Sequence, residues 1–427
     1  MQTKFSKVEG SLLEHIGSGD EKSWYYDKAD TKYNNHGLHG YPAMMIPQIA
    51  HRLMKIYGKD KETILDPFMG SGTTLLESKI DFSFKKAIGI DINPLAVLIS
   101  RSKTTPINPK LLYEEYHNII QDFHRVNRNI EKPDFFNISF WFKENVIEDL
   151  SKLKEAIYKI IDEDIKNFFK VIFSNIIRKV SNTRNGEFKL YKMPEKSLEN
   201  FNPSVFEEFS MECEKSINKM KKFYSVSNIC KISILNEDSR DKTSIDSNSV
   251  DLIVTSPPYG DSKTTVAYGQ YSRLSLQWMD FDKKIYSSID KDSLGGIPVK
   301  NIEDEILQTN QLNKIITKIQ KVDEKRAKDV LSFYIDFYKC IKEFDRVLKE
   351  KSVLCFVVGN RRVNNHVIPT DEIIVELFKN YNSYEHEKTI IRNIPNKKMP
   401  KQNSPTNKKG EKSSTMNNEY IVILNKK

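Results

Sequence analysis

Short apolar runs that stop abruptly alternate along this chain with long amphipathic stretches. Ile64 and Leu65 lead into Asp66 and Pro67, and residues 87–90 lead into Asp91. Residues 232–235 run into an acidic turn, 251–255 stop at Ser256-Pro257-Pro258-Tyr259, and 352–358 end at Gly359-Asn360. Near-continuous apolar runs of this kind suit strands buried on both faces of a parallel sheet. Proline has no backbone donor and cannot continue a central strand. Residues 251–255 are therefore predicted as a strand and 256–259 as a rigid loop at its carboxyl end. Between the strands the period becomes helical: Ile49, Leu53, Ile56 and Tyr57; Leu75 and Leu76; Leu112, Tyr116, Ile119, Phe123 and Val126. A further stripe runs Ile147, Leu150, Leu153, Ile157, Ile161, Ile165, Phe168, Val171, Ile172 and Ile176, and Val330 to Phe344 carries another. Residues 388–391 and 420–424 read as paired strands. Strands alternating with helices predict an α/β, doubly wound sheet. Here it is interrupted by a large helical insertion and finished by a C-terminal antiparallel hairpin.

The loops at the strand ends carry the candidate chemistry. After Asp66, the segment Pro67-Phe68-Met69-Gly70-Ser71-Gly72-Thr73-Thr74 opens a helix over 73–79. Glycines there allow a tight turn and close backbone approach to a ligand. A triphosphate-binding loop needs Lys directly after its last Gly, and this chain has Thr73. Asp91 stands 25 positions after Asp66, at the next strand tip. An acid so placed suits ribose hydroxyls, or it caps the helix over 94–100. Asn236-Glu237-Asp238-Ser239-Arg240 is a ligand-facing or a solvated turn. Ser256 to Tyr259 offers a hydroxyl, carbonyls without competing N–H groups at the prolines, and an aromatic face. That set grips a flat, amine-bearing ring, unless it is an ordinary Pro-rich turn.

Thr255-Ser256-Pro257-Pro258-Tyr259 resembles the catalytic motif of the amino-methylating DNA methyltransferases, closest to the cytosine-N4-specific restriction-modification methylases. The adenine-N6 enzymes more often carry Asn or Asp where Ser256 stands. DPFMGSGTT resembles the S-adenosyl-L-methionine loop of the same family. His39-Gly40-Tyr41-Pro42-Ala43 resembles its leading segment, with Met44-Met45 replacing the usual Lys-Phe. The resemblance implies a Rossmann-like methyltransferase sheet over 1–104 and 231–427, with 105–230 as an insertion and candidate target-recognition region. It implies cofactor contacts from Tyr41, Pro42, Asp66, Pro67, Phe68, Gly70, Ser71, Gly72, Thr73, Asp91, Asp238 and Ser239, with Asp66 at the methionine amine. It implies catalysis by Ser256, Pro257, Pro258 and Tyr259 on a base flipped from double-stranded DNA, with a cognate restriction endonuclease as genetic partner. Three other functions stay open: an adenine-N6 enzyme, an RNA or protein-amine methyltransferase, and a catalytically silent DNA-binding protein on the same scaffold.

The 427 residues carry a net charge of +9, which permits a polyanionic partner. Arg184 lies in a turn-rich basic stretch after the long helical stripe. Arg273 ends a Tyr-rich segment, 264–273, that could drape over a flipped base. Lys397, Lys398 and Lys401 belong to a Pro-containing basic loop over 392–412. These five are the expected DNA contacts. Cys213, Cys230, Cys340 and Cys355 are too dispersed for a zinc finger or a disulfide framework, so no metal is expected. The amino terminus is polar, and no run reaches the ~18 apolar residues that span a bilayer. A monomeric, cytoplasmic protein is expected.

Overall fold

The computed structural model describes residues 24–125, 130–184, 186–261, 265–305, 307–381, 383–394, 402–403, 413–414 and 418–427. Seven strands form one sheet: β1 (Thr63–Asp66), β2 (Lys86–Ile90), β3 (Lys231–Leu235), β4 (Val250–Thr255), β5 (Leu348–Gly359), β6 (Tyr384–Asn393) and β7 (Asn418–Lys426). Their spatial order is β3-β2-β1-β4-β5-β7-β6. The first five are parallel, and β7 runs antiparallel to both β5 and β6. The hairpin expected from 388–391 and 420–424 is present, with Ile391 opposite Tyr420 and Lys388 opposite Ile423. Lys397, Lys398 and Lys401, in the connection between its strands, lie outside the described residues.

The strand sequences explain why both faces are covered. Successive side chains point to opposite faces. Ile64, Leu252, Val254, Cys355 and Val357 enter one core, while Leu65, Ile253, Leu354 and Phe356 enter the other. The first core is closed by α1 (Pro47–Tyr57) and α2 (Thr73–Ile80), through Ile49, Leu53, Met54 and Leu75. A third helix, α3 (Pro94–Thr104), follows β2.

The insertion supplies α4 (Pro109–Arg125), α5 (Glu144–Tyr158), α6 (Glu163–Val180) and α7 (Val205–Val226). Next come α8 (Tyr268–Trp278), α9 (Lys283–Asp292), α10 (Asn310–Gln320), α11 (Glu324–Val347) and α12 (Thr370–Lys379). The second sheet face is closed by α11 and α12, through Phe337, Ile341, Phe344, Ile373 and Leu377. The insertion's stripes close onto α3 and α8 in a third core, where Leu112, Ile147, Phe169, Phe209 and Phe223 meet Ile99, Leu274 and Trp278.

Two local expectations change. The stripe from Ile147 to Ile176 is two helices, and Ile161 at the break is 93% exposed. Asp162 starts the second helix by accepting from the Asp164 and Ile165 amides at 2.9 and 3.0 Å. The Tyr-rich segment is partly helical, from Tyr268 onward, with Tyr271, Ser272 and Leu274 buried.

A polar network binds the start of the described chain to α2. The fully buried Glu77 carboxylate on α2 accepts from the Tyr33 hydroxyl, from His36 Nε2 at 2.6 Å and from His51 Nδ1 at 2.9 Å. Burial pushes its pKa up, but the two histidine bonds outweigh that and hold it down to about 2, against an ordinary 4.5. Its stabilising contribution is therefore present above pH 4.5 and is lost as pH falls through about 2. Glu77→Ala would leave these donors unpaired and is expected to cost about 3 kcal/mol. Urea unfolding at neutral pH reads it, and a change under about 0.5 kcal/mol would exclude this role. No helix among the described residues is long and apolar enough to cross a membrane.

Candidate active site

The order β2-β1-β4 places the topological switch between β1 and β4, where ligands of open α/β sheets bind. Ile64 pairs with Leu252 and Leu65 with Ile253, so the two carboxyl ends lie side by side. The Thr255 hydroxyl donates to Asp66 Oδ1 at 2.6 Å, joining the tips directly. Two loops whose tips, Asp66 and Thr255, lie 189 positions apart in sequence thus open into one cleft of about 900 Å³ counted out into open solvent.

Of the residues expected to meet the cofactor, all but Gly72 line this cleft. Gly72 instead N-caps α2 with φ +77°, where a side chain would run into Ser100. Gly70, with φ +49°, lies beneath the Tyr41 ring. Asp66 is buried and accepts from the Phe68 amide at 3.2 Å as well as from Thr255. Asp91 accepts from the Gly70 amide at 3.0 Å and the Asn93 amide at 2.8 Å. The helix-capping role that Asp91 could have taken falls to Asn93, which accepts from Leu95 N. Asp238 lies on the cleft wall, paired through both oxygens with Arg240 Nε at 3.0 Å. Ser239 donates to the Pro67 carbonyl at 2.7 Å and so ties the two loops together.

Both deep acids titrate unusually high. Burial raises Asp66 to about 6, against the bonds from Thr255, Thr74 and the Phe68 amide. Burial likewise raises Asp91 to about 6, against the Asn93 and Gly70 amides. The sign follows from the raised folded values. Above pH 6 both are held ionised at a cost to the free chain, and that cost fades as pH falls from about 6 toward the ordinary 3.8. A ligand that needs the carboxylates charged is therefore expected to bind less tightly below pH 6, by up to about tenfold per pH unit per proton taken up. Calorimetric titration of S-adenosyl-L-methionine between pH 5 and 8 checks this. A Kd independent of pH would refute it.

On the β4 side, Ser256 and Pro258 line the same cleft, whereas Pro257 and Tyr259 are not among its lining residues. The Ser256 hydroxyl donates to the Val357 carbonyl at 3.0 Å. Tyr259 Oη is 3.4 Å from Ser256 Oγ and donates to Glu419 on β7 at 3.1 Å. Glu419 also accepts from Arg392 on β6, which in turn donates to the Trp24 carbonyl. Arg392 opens the basic stretch in the sequence, but it is buried and committed to this brace. Beyond Tyr259, Gly260 lies against the Arg361 guanidinium, and Arg361 pairs with buried Asp261 at 3.0 Å. An added Cβ at Gly260 would displace that guanidinium. Gly260→Ala is therefore expected to lower kcat at least about tenfold through a shifted loop, and unchanged kcat would refute the brace.

Five further residues of the site were not among those the sequence pointed to. Tyr268 on α8 lines the cleft and stacks on Tyr41 at 5.8 Å. Asn93 Nδ2 donates to Tyr41 Oη at 3.0 Å and to Ser272 Oγ at 2.8 Å. Asp292, Ser293 and Leu294, at the end of α9 and just after it, close the wall near Asp238 and Glu237. Only Tyr268 had a signal, as one of the two tyrosines in 264–273. The expected DNA contacts are dispersed. Arg184 is exposed and pairs with Glu187 at 3.4 Å. Arg273 is half-buried on α8, with its Nε lacking a hydrogen-bond partner among the described residues.

A family model for N6/N4 methylases, described as DNA methylase, matches residues 3–102 and 250–427. Type II methyltransferase M.MvaI of Kocuria varians is 44% identical over 419 residues, 92% of each chain. Type II methyltransferase M.MjaII of Methanocaldococcus jannaschii is 31% identical over 109 residues, 26% of this chain and 20% of that protein. Among solved structures, the rRNA methyltransferase aviRa of Streptomyces viridochromogenes aligns at a TM-score of 0.28 and 11% identity. It covers 91% of this chain and 88% of its own, a likeness too remote to bear on function. Matched over both the cofactor loop and the Ser-Pro-Pro-Tyr loop, the chain belongs to the N6/N4 DNA methylases, enzymes that transfer a methyl group from S-adenosylmethionine to an exocyclic amine of a DNA base.

Proposed function

We propose that this enzyme methylates the N4 amine of cytosine in double-stranded DNA, on a base extruded from the helix. The observation that carries the reading is the state of Ser256. Its hydroxyl hydrogen is directed to the Val357 carbonyl, so the oxygen presents lone pairs to the cleft. An exocyclic amine is a poor nucleophile because its lone pair is spread into the ring. Acceptors on its protons draw that pair back toward nitrogen, and Ser256 Oγ with the Pro257 carbonyl fills this role. S-adenosylmethionine supplies the electrophilic methyl group. Rate then comes from positioning and from acceptors aimed at charge developing on the amine.

The rest of the site is assigned to binding. Asp66 takes the methionine ammonium and Asp91 the ribose hydroxyls. Asp238, which already accepts from the Arg240 amide and guanidinium, is assigned to the adenine amine. The Gly70–Thr73 loop, with Tyr41, Pro42, Pro67 and Phe68, forms the cradle. Pro258 shapes the base pocket and Tyr259 holds the base. Residues 1–104 and 231–427 make the catalytic domain, with 105–230 as an insertion serving recognition. The two named relatives are Type II methyltransferases, which supports a modification role beside a restriction endonuclease. Digesting plasmid DNA methylated by the pure enzyme, then separating the nucleosides by mass spectrometry, tests the target. N4-methylcytosine is expected. N6-methyladenine in its place would overturn the choice of base and leave the family intact.

A further inference from the structure

Residues 181–184 and 186–193 double back on each other through one antiparallel bridge, forming a finger that the catalytic machinery does not use. Thr183 pairs with Lys192 antiparallel, Arg184 N donates to Tyr191 O at 2.8 Å, and Met193 N donates to Asn182 O at 2.8 Å. The root is fixed to the turn before α5. Asn182 N donates to the Trp141 carbonyl at 2.7 Å, and Asn182 Nδ2 donates to the Phe140 carbonyl at 3.1 Å. Large rings stand in solvent on this ribbon. Phe188 is 43% exposed, Tyr191 46%, and Phe140 beneath them 44%. Cations accompany them: the Lys192 ammonium lies 4.3 Å from the Phe140 ring centre and the Arg184 guanidinium 6.0 Å from that of Tyr191. Against Arg184, Lys189 and Lys192 the finger holds one acid, Glu187. Large rings half exposed beside one another, rather than scattered singly, mark a contact surface. The cations beside it make the complementary surface a polyanion.

The finger's position relates that surface to the chemistry. Phe188 meets the edge of Tyr271 at 6.3 Å, and Leu190 N donates to Gln270 Oε1 at 3.4 Å, both on α8. Tyr271 and Tyr268 both touch Tyr41, and Tyr268 lines the transfer cleft. Arg178 secures the joint, donating to the Glu187 carbonyl at 2.7 Å with its guanidinium 4.5 Å from the Tyr271 ring. The finger, which follows α6 in the chain, therefore packs against the helix that walls the cleft. It also falls within 103–249, the stretch the family model leaves unmatched.

We infer that residues 181–193 form the element that reads the duplex beside the extruded base. Arg184 and Lys192 engage phosphates, and Phe188 and Tyr191 face sugars and base edges. A two-stranded ribbon is narrow enough to enter the major groove. The inference rests on the reading that duplex DNA is the substrate.

The test uses the full chain in two double variants, Arg184→Ala with Lys192→Ala, and Phe188→Ala with Tyr191→Ala. The readouts are KM and kcat on plasmid DNA, the salt dependence of duplex binding, and the Kd for S-adenosyl-L-methionine. Cofactor affinity and melting temperature are expected to stay at wild-type values, while KM for DNA rises about tenfold or more. The charge variant is expected to flatten the salt slope by about one for each phosphate it no longer neutralises. Should a double variant fail to fold, Lys192→Gln leaves the ribbon's backbone bonds intact and must still flatten the slope. KM within about twofold of wild type in both variants, with an unchanged salt slope, would overturn the inference. So would variants that dissociate an oligomer by sedimentation without weakening DNA binding, which would make the finger an interface between copies. Failure of the wild-type enzyme to methylate duplex at all would instead remove the underlying reading.

Discussion

Replacing Tyr259 with Ala is expected to lower turnover about 100-fold or more while the Kd for S-adenosyl-L-methionine moves less than about threefold. The separation follows from where the side chain sits. Tyr259 belongs to the β4 loop, outside the residues that line the cofactor cleft, and its hydroxyl is braced by Glu419 within reach of Ser256. Truncation removes the ring that the proposed function assigns to the base and frees the Ser256 end of the loop. The cradle around Gly70 and Asp91 keeps its own bonds. Tyr259→Phe keeps the ring and loses only the Glu419 bond, so a smaller loss of about tenfold is expected. Single-turnover methylation with calorimetry of cofactor binding measures both. Equal loss of turnover and affinity in Tyr259→Ala would remove the assigned role.

The opposite split is expected on the β1–β2 side. Asp91→Ala should raise the cofactor Kd by about 10- to 100-fold, the worth of a charged acceptor meeting neutral hydroxyls plus the loosening of the Gly70 loop it holds. Asp66→Asn should act at similar size by removing a carboxylate within the cleft. It should also abolish the weakening of binding below pH 6 that comes from Asp66. With saturating cofactor, kcat should recover most of its wild-type value in Asp91→Ala. A Kd unchanged in both variants would mean that the cofactor lies elsewhere.

Much of this arrangement was legible because of how the sheet is built. Strands covered on both faces must be apolar at nearly every position, so β1, β2, β4 and β5 announce themselves, and the residues that break them are those exposed at the sheet edge. Asp66, Asp91, Ser256 and Pro258 emerge together for that reason. What the sequence concealed depends on contacts between distant segments. Periodicity continued smoothly through Ile161, and only the cap at Asp162 betrays the break. Arg392 looked like part of a basic surface, yet its strand position opposite Glu419 turns it inward. Tyr268 becomes a cleft wall only because α8 packs across α3 and α6, a relation no local pattern encodes. The insertion's helices were readable from their stripes, but not the surface on which those stripes close.

The claim beneath these expectations is spatial: the methyl donor bound at the β1 tip faces the Ser-Pro-Pro-Tyr loop at the β4 tip. A crystal structure with S-adenosyl-L-homocysteine tests it directly. The thioether sulfur should lie in the cleft between Gly70 and Ser256, with room for a methyl group about 3–3.5 Å from a base amine held at Ser256 Oγ. A sulfur turned away from Ser256, or a cofactor bound outside this cleft, would contradict it.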